Sequence, residues 1–215
     1  MTAQRLTRKE RQAQTRSQLL ESAARVFAAK GLERASVEEV VATAGYTKGA
    51  FYANFDSKQE LFLAMLEERF GRRLAEVERV WSAGDSPPEQ ARQSAADFAR
   101  AIRADPEAPR LFLEFSAYAL RDEAFRGELL ARFATLRERL EAIYSRRVEQ
   151  YGIELDIPME RIVRMVIAIC DGWELWQLLE PDAVDEQMLE EMMEAFTIGL
   201  GVMSGGLEPP ERRQP

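Results

Sequence analysis

The stretch that decides the fold reads SVEEVVATAGYTKGAFYANFDSKQEL and spans residues 36–61. An S-x-x-E capping box begins at Ser36 and another at Ser57. Each marks a helix start, because the serine hydroxyl accepts a backbone N–H while the glutamate three residues on reaches back. Between them, Gly45 is placed to end one short helix and Thr47 to cap a second. Two short helices joined by a tight glycine turn predict a helix-turn-helix.

The second of these helices, residues 48 to about 54, has one apolar side and one polar side. Phe51 and Phe55, four residues apart, are expected to face the core. The opposite side is small or polar, so a DNA backbone could approach it closely. Its residues are Thr47, Lys48, Gly49, Tyr52 and, at the edge, Asn54. Two other interpretations stay open: Tyr52 could be an aromatic lid on the first helix, and Asn54 and Lys58 could be solvated polar residues near helix ends.

Helix signals fill the rest of the chain, and no convincing strand or hairpin pattern accompanies them. The sequence therefore predicts an all-α fold of about nine helices. A third capping box at Thr7 starts the first helix, which Gly31 is expected to end in a left-handed conformation. The expected helices span residues 7–30, 37–44, 48–54, 58–81, 88–104, 106–120, 122–151, 158–179 and 182–203.

We expect three regions: an N-terminal helix-turn-helix head over residues 1–56, a helical body over 57–203, and a disordered tail over 204–215 with little apolar content. The charged residues are also unevenly distributed between the head and the rest of the chain. The first 60 residues hold ten Lys and Arg against seven Asp and Glu, whereas the rest hold 19 against 30. A basic leading segment on an acidic body suggests that the head meets a polyanion.

The composition excludes several classes of function. The chain has no histidine and one cysteine, Cys170, which leaves no basis for a zinc site built on imidazole, for an internal disulfide, or for Ser-His or Cys-His catalysis. We therefore predict no catalytic residues, no metal site, no cofactor and no enzyme. The longest apolar run, residues 165–170, is far shorter than the roughly 18 residues of a membrane span. The start has no apolar stretch of a signal peptide, so a cytoplasmic location without membrane attachment is expected.

Residues 15–61, which read TRSQLLESAARVFAAKG and then ASVEEVVATAGYTKGAFYANFDSKQEL, resemble the DNA-binding domain of the TetR family of bacterial transcriptional regulators. The resemblance implies a three-helix head, with the third helix as recognition helix, on a helical body that binds a ligand and dimerises. Where that family usually has a histidine, this chain has Asn54. The DNA-binding residues implied are Arg16, Ser36, Val37, Thr47, Lys48, Gly49, Ala50, Tyr52, Asn54 and Lys58.

Within this set the resemblance implies different roles. Ser36, Thr47, Tyr52 and Lys58 are expected to contact phosphates, and residues 48–50 to face base edges. Because Ala50 and Ala53 offer little to read bases with, shape readout is expected to supplement direct contacts. The basic arm around Arg5, Arg8, Lys9 and Arg11 could follow phosphates or enter the minor groove, or its first residues could be disordered.

The body is expected to dimerise through its last two helices. The helix over 158–179 is apolar around most of its circumference near residues 162–170, so it needs cover on two flanks. A second copy could supply one of them across a two-fold axis, or the helix could simply be the centre of the monomer core. The predicted interface residues are Ile162, Met165, Val166, Ile169, Gly172, Met192, Phe196 and Leu200.

The body also carries enough aromatic and methionine side chains to line a cavity for an unknown small apolar or amphipathic ligand. The same aromatics could equally fill a solid core. The predicted lining residues are Phe112, Phe115, Tyr118, Phe133, Tyr144, Trp173 and Trp176. Glu114 could pair with a cationic ligand, or with Arg110 on the surface.

Together these patterns predict a homodimeric repressor that binds a palindromic operator in double-stranded DNA and is released by its ligand. Ligand binding is expected to tilt the fourth helix and to change the spacing of the recognition helices. The alternative is a helical protein-interaction or ligand-sensing module that has lost specific DNA binding, which the pI of about 4.9 fits better.

Overall fold

The computed structural model describes residues 7–82, 86–105 and 107–205. Within these ranges it contains nine helices and no strand, so the all-α fold of about nine helices is confirmed. The predictions for the arm before Thr7, the helix start at Pro106 and the tail from residue 206 lie outside the described residues. The helices are α1 Arg8–Arg34, α2 Val37–Ala44, α3 Lys48–Tyr52, α4 Lys58–Trp81, α5 Pro87–Ala104, α6 Glu107–Ala119, α7 Glu123–Gln150, α8 Met159–Leu179 and α9 Glu186–Met203.

The helix starts in the first 60 residues follow their capping signals. Full capping boxes form at Thr7 and at Ser36, where the hydroxyl accepts the backbone N–H three residues on. At Ser57 the hydroxyl accepts the Glu60 N–H at 3.0 Å, but the Glu60 carboxylate accepts the N–H of Asp56 instead. Gly45 ends α2 in the left-handed conformation, with φ 73° and ψ 26°. The local signals therefore place the short helices α2 and α3 correctly.

Two expected boundaries differ by four residues in the structure, and α3 ends at Tyr52 rather than near residue 54. The first helix does not end at Gly31, where φ is 75° but ψ is 161°, outside the left-handed helical region. The chain kinks there and returns to helix until Arg34. The last helix begins at Glu186 rather than near 182, because the Asp185 carboxylate accepts the Met188 N–H at 2.9 Å and caps it there. The residues just before form a turn that buries Val184.

The chain divides into two compact units. Unit 1 takes the described residues within Met1–Phe70 and Pro106–Ala131, and unit 2 those within Gly71–Asp105 and Arg132–Pro215. α4 and α7 thus contribute residues to both units. This division differs from the predicted boundary between head and body at residue 56, because α6 belongs to unit 1. The predicted boundaries of head, body and tail stay a prediction.

Unit 1 has a core of aromatic and aliphatic side chains. α1 packs against α2 and α6. Phe62 meets Phe27 edge-on at a ring-centroid distance of 5.1 Å and also contacts Phe115. All three rings are buried. Burial of such rings is the dominant favourable term for this unit.

Unit 2 holds two apolar clusters. In the first, small α5 residues (Ala91, Ala95 and Ala99) let α9 pack closely alongside, with Trp173 buried at 4% exposure. In the second, residues of α4, α7 and α8 surround Val163. Among the described residues, no helix is long and apolar enough to cross a membrane.

Candidate nucleic-acid interface

The two sides of α3 differ as the sequence predicted. Phe51 and Phe55 are buried at 0% and 1% exposure, whereas Tyr52 is 57% exposed. Thr47, Lys48 and Gly49 are exposed, and Ala50 is half-buried. The Tyr52 ring rests edge-on against Phe51 at 5.2 Å between centroids, which fixes the base of the ring while leaving the rest to solvent. Its 57% exposure favours a surface role for Tyr52 over the alternative of an aromatic lid on the first helix.

Gly49 and Ala50, near the start of α3, have little or no side chain, so the helix backbone is accessible there. The Thr47 hydroxyl accepts the Ala50 N–H at 3.3 Å and caps the helix. At Gly49 an added Cβ would meet nothing closer than the Thr47 Oγ1 at 3.7 Å. The absence of a side chain there is not imposed by the protein's own packing. It leaves a flat surface that a phosphate backbone or a base edge can approach closely.

Lys48, predicted to face base edges, forms an ion pair with Glu38 of α2. Its pKa is raised, chiefly by the hydrogen bond that its ammonium donates to Glu38, and the same bond lowers the pKa of Glu38. A second pair of the same kind joins Lys30 of α1 to Glu39. Both pairs are solvent-exposed, so each is weak and can be exchanged for a phosphate.

Arg16 and Asn54 hold the C-terminal end of α3. The Arg16 Nη1 donates to the Asn54 carbonyl at 3.0 Å, and its guanidinium carbon lies 4.3 Å from the centroid of the Phe55 ring. The Asn54 side-chain amide donates back to the Ala50 carbonyl at 2.8 Å. These contacts position the end of the helix. Asparagine at this position therefore has a local structural role, in addition to the predicted contact with DNA.

Lys58 is more deeply engaged. Its ammonium donates to the carbonyls of Leu32 at 2.6 Å, Ala35 at 2.9 Å and Glu33 at 3.3 Å. Partial burial lowers its pKa, and the nearby charge of Glu33 opposes that effect. The lysine therefore satisfies carbonyls that the end of α1 leaves open. The interpretation of Lys58 as a solvated residue does not fit this geometry.

Unit 1 thus brings together all ten residues predicted to bind DNA. Ser36 is half-buried with its hydroxyl in the α2 capping box, and Val37 is half-buried beside it. Three predicted cations (Arg16, Lys48 and Lys58) are engaged with acceptors of the protein itself. Whether each residue contacts DNA stays a prediction. The residue that sequence reasoning missed is Glu38, because a pair ten positions apart across a turn follows no helical periodicity.

Comparison with known proteins agrees with this geometry. Residues 19–65 match the family model for bacterial regulatory proteins of the tetR family, and residues 87–200 match that for the C-terminal region of BetI-type transcriptional repressors. The second match alone covers more than half of the chain. The protein belongs to the TetR family. It is a DNA-binding transcriptional regulator, as the sequence predicted.

Individual TetR-family relatives are moderately similar. The HTH-type transcriptional repressor AcnR of Corynebacterium glutamicum is 28% identical over 162 residues, which cover 74% of this chain and 79% of AcnR. A transcriptional regulator structure from Pseudomonas aeruginosa PAO1 superimposes with a TM-score of 0.73 at 21% identity, covering 92% of this chain and 93% of that one. FadR from Bacillus subtilis, solved in complex with stearoyl-CoA, gives 0.71 at 15% identity, covering 89% and 99%. These structures show the same fold.

In this TetR-family chain, unit 2 contains a cavity of about 430 Å³. Of the seven aromatic residues predicted to line a ligand cavity, Tyr144 lines this one. Trp173 fills the neighbouring core, Trp176 is 52% exposed, and Phe133 of unit 2 is not part of this lining. Phe112, Phe115 and Tyr118 belong to unit 1. The lining residues are Trp81, Ser86, Pro87, Pro88, Tyr144, Arg147, Val148, Tyr151, Ile153, Leu155, Met159, Ile162, Val166, Met193, Phe196, Thr197, Leu200 and Gly201.

Four residues predicted for the dimer interface (Ile162, Val166, Phe196 and Leu200) also line this cavity. The remaining four, Met165, Ile169, Gly172 and Met192, are half-buried. The large apolar side chains that are exposed on α8 and α9 are Trp176, Leu179, Met188 and Met203. Sequence periodicity found the two helices, but it did not separate the residues turned into the unit from those turned out of it.

Proposed function

We propose that this TetR-family regulator is a homodimeric repressor that binds a palindromic operator through α3 and is released by a small apolar or amphipathic ligand. The observation that carries the proposal is the exposed side of α3. Thr47, Lys48, Gly49 and Tyr52 are open to solvent over a rigid base of buried phenylalanines. A helix with this orientation can lie in a major groove with its N-terminal residues at the base edges.

Dimerisation is supported by the apolar side chains of α8 and α9. Trp176 and Leu179 are 52% and 61% exposed, and Met203 is 67% exposed. Exposed apolar groups on neighbouring helices are typical of an interface. Two heads related by a two-fold axis would read two half-sites about 34 Å apart, which matches a palindrome.

Release by a ligand is supported by the cavity in unit 2. FadR of Bacillus subtilis shows that a protein of this fold can hold an acyl-CoA. The ligand would act through its different affinity for two states of the dimer that differ in the spacing of the recognition helices. A regulator of this kind works beside the chromosome, so we place it in the cytoplasm.

Selection of binding sites from random duplex DNA tests the proposal. We expect a palindrome to be enriched, with binding that weakens steeply as salt is added because phosphate contacts dominate. Tyr52→Ala should weaken binding to all sequences by about tenfold. Leu130→Ala, which removes a side chain of α7 that is 52% exposed and lies outside the helix-turn-helix, is the control and should bind normally. Absence of any enriched sequence would instead support the interaction module without specific DNA binding.

The dimer has a separate test. Light scattering should give about twice the 24.5 kDa chain mass. Trp176→Glu combined with Leu179→Glu should give the monomer mass, because charges would lie in an apolar contact. Leu120→Glu changes a leucine that is 79% exposed in unit 1 and should leave the dimer intact. A wild-type protein that is a monomer at working concentration would contradict this part of the proposal.

A further inference from the structure

The cavity in unit 2 is built from residues far apart in sequence. Its walls come from the end of α4, the start of α5, the end of α7, the start of α8 and the second half of α9. Most lining side chains are aliphatic, aromatic or methionine. A volume of about 430 Å³ lies within the range of small-molecule pockets.

One polar group in this lining lacks a partner. The Tyr144 side chain is buried at 7% exposure, and its ring lies against Trp81 with 4.7 Å between centroids. No described residue forms a hydrogen bond with its hydroxyl. The hydroxyl oxygen is not one of the enclosed side-chain atoms without a hydrogen-bond partner among the described residues, so it is open to the cavity and can be hydrogen-bonded from there. Because Tyr144 lines the cavity, an occupant of the cavity is well placed to supply the partner.

The protonation state of Tyr144 decides what that partner must be. Burial raises the pKa of this tyrosine, so the hydroxyl keeps its proton at neutral pH and can donate it. The best partner is therefore an acceptor oxygen.

The charge of the lining also restricts the occupant. The described lining residues include one arginine, Arg147, and no aspartate or glutamate. The Arg147 guanidinium donates to Gln90 Oε1 at 3.0 Å, to Gln150 Oε1 at 2.9 Å and to the Tyr151 hydroxyl at 2.9 Å. These contacts fix its position at the cavity. A positive lining of this kind disfavours a cationic ligand.

We propose that this cavity is the effector site, and that it takes an apolar molecule with a carbonyl-type oxygen that accepts a hydrogen bond from the Tyr144 hydroxyl. This inference rests on the proposed release by a ligand and names the class of that ligand. Apolar contact supplies most of the affinity, and the single hydrogen bond orients the molecule.

A matched pair of probes isolates that hydrogen bond. Butyrophenone and butylbenzene have nearly the same shape, and only the first has a carbonyl oxygen. Calorimetric titration of the full-length protein should show butyrophenone binding about three- to tenfold more tightly. 4-Phenylbutylamine, a cation of similar size, should bind more weakly than either.

Three variants locate the contact. Tyr144→Phe should remove the preference for butyrophenone while leaving butylbenzene affinity unchanged. Its melting temperature without ligand should equal or exceed that of the wild type, because the lost hydroxyl has no protein partner. Tyr118→Phe is the matched control, since that hydroxyl already donates to Asp122 at 3.1 Å, and it should keep the preference. Val148→Trp places an indole in the cavity and should abolish binding of both probes with the helical circular dichroism retained.

The outcomes separate this inference from the proposed function. It is overturned if neither probe binds the wild type, if the Tyr144→Phe variant keeps the preference, or if Val148→Trp still binds. DNA site selection without ligand is an independent measurement, so a protein that enriches a palindrome but ignores these probes would retain its function as a regulator and lose only this effector site.

Discussion

The helix-turn-helix and the cavity are determined over very different distances along the chain. The turn from Ser36 to Ser57 is set by serine and threonine caps and one left-handed glycine, each acting within a few residues. The cavity joins Trp81 to Gly201 and depends on how five helices pack. The first region can be interpreted from sequence because its determinants are local, whereas the second emerges only from tertiary structure. Substitutions in the two regions should therefore have different effects on stability and on DNA binding.

The largest expected effect on stability comes from Lys58, whose contacts with the end of α1 no local sequence pattern in unit 1 predicts. Lys58→Met would leave three carbonyls at the end of α1 without their donor. Lost hydrogen bonds to a charged, half-buried group should lower the free energy of unfolding by about 2–3 kcal/mol. Urea denaturation followed by circular dichroism measures this.

Lys9→Met is the matched control, because Lys9 is an exposed lysine of α1, and it should leave the urea midpoint unchanged. If Lys58→Met were as stable as this control, the hydrogen bonds from Lys58 to the carbonyls would contribute nothing to stability. Lys58 would then be free to bind phosphates, and local sequence signals alone would account for the head.

A half-buried carboxylate in unit 2, that of Asp171, should give a pH-dependent effect. Burial raises the pKa of Asp171 from 3.8 to about 6. The folded protein therefore binds this proton more tightly than the unfolded chain, so the contribution of Asp171 to stability is fully present below about pH 4 and is lost as the pH rises through about 6. Asp171→Asn should be about 1–3 kcal/mol more stable than the wild type at pH 7–8.

That advantage should vanish near pH 4, where both side chains are neutral. Denaturation curves at pH 4, 5, 6 and 7.5 trace the difference. A gap that is independent of pH would mean that Asp171 is not the titrating group. No local sequence signal identifies this residue, which follows an apolar run of α8.

Gly31→Ala tests the glycine that was expected to end the first helix and that instead forms a kink within α1. Alanine would be strained at φ 75°, and its Cβ would lie 2.7 Å from Glu114 Oε2. We expect a loss of about 1–2 kcal/mol in thermal unfolding. Gly45→Ala, at φ 73° and ψ 26° with nothing within 4 Å, gives the cost of alanine in the left-handed helical region, which is a lower bound for the backbone strain at Gly31, where ψ is 161°.

The double variant Gly31→Ala with Glu114→Ala should recover the part due to the contact. If Gly31→Ala cost as much stability in the Glu114→Ala background as in the wild type, the contact would contribute nothing and the whole cost would be backbone strain.

The smallest expected effect is on DNA affinity. Glu38→Gln frees Lys48 from its exposed pair, and removes a negative charge near the duplex. Binding to a 30-base-pair duplex should tighten about two- to fivefold, and the slope of log affinity against log salt should steepen by about one. Fluorescence anisotropy at four salt concentrations measures both quantities.

Glu33→Gln, at an exposed carboxylate that pairs with Arg121, is the comparison for Glu38→Gln. Equal effects of the two substitutions would indicate a general charge effect and no specific release of Lys48.

These cases explain how far sequence reasoning reached. The caps placed α2 and α3, and the spacing of Phe51 and Phe55 gave the correct buried side of α3. The engagement of Lys58 and Arg16 could not be predicted, because their partners are main-chain carbonyls that any sequence provides. Aromatic composition pointed to a cavity in general terms. However, the sequence pattern around Trp173 and Tyr144 does not show which of the two lines the cavity. Only packing makes one a core residue and the other part of a cavity wall.

The composition of unit 1 has a practical consequence for engineering. A chimeric regulator could be built by exchanging the N-terminal helices of this chain for those of a relative. A junction after residue 56 would separate Gly31 from Glu114, although the carboxylate occupies the space that a side chain at position 31 would need. A graft that carries α6 together with α1–α3 would transfer both halves of this fit, and we would expect such hybrids to fold where simpler exchanges fail.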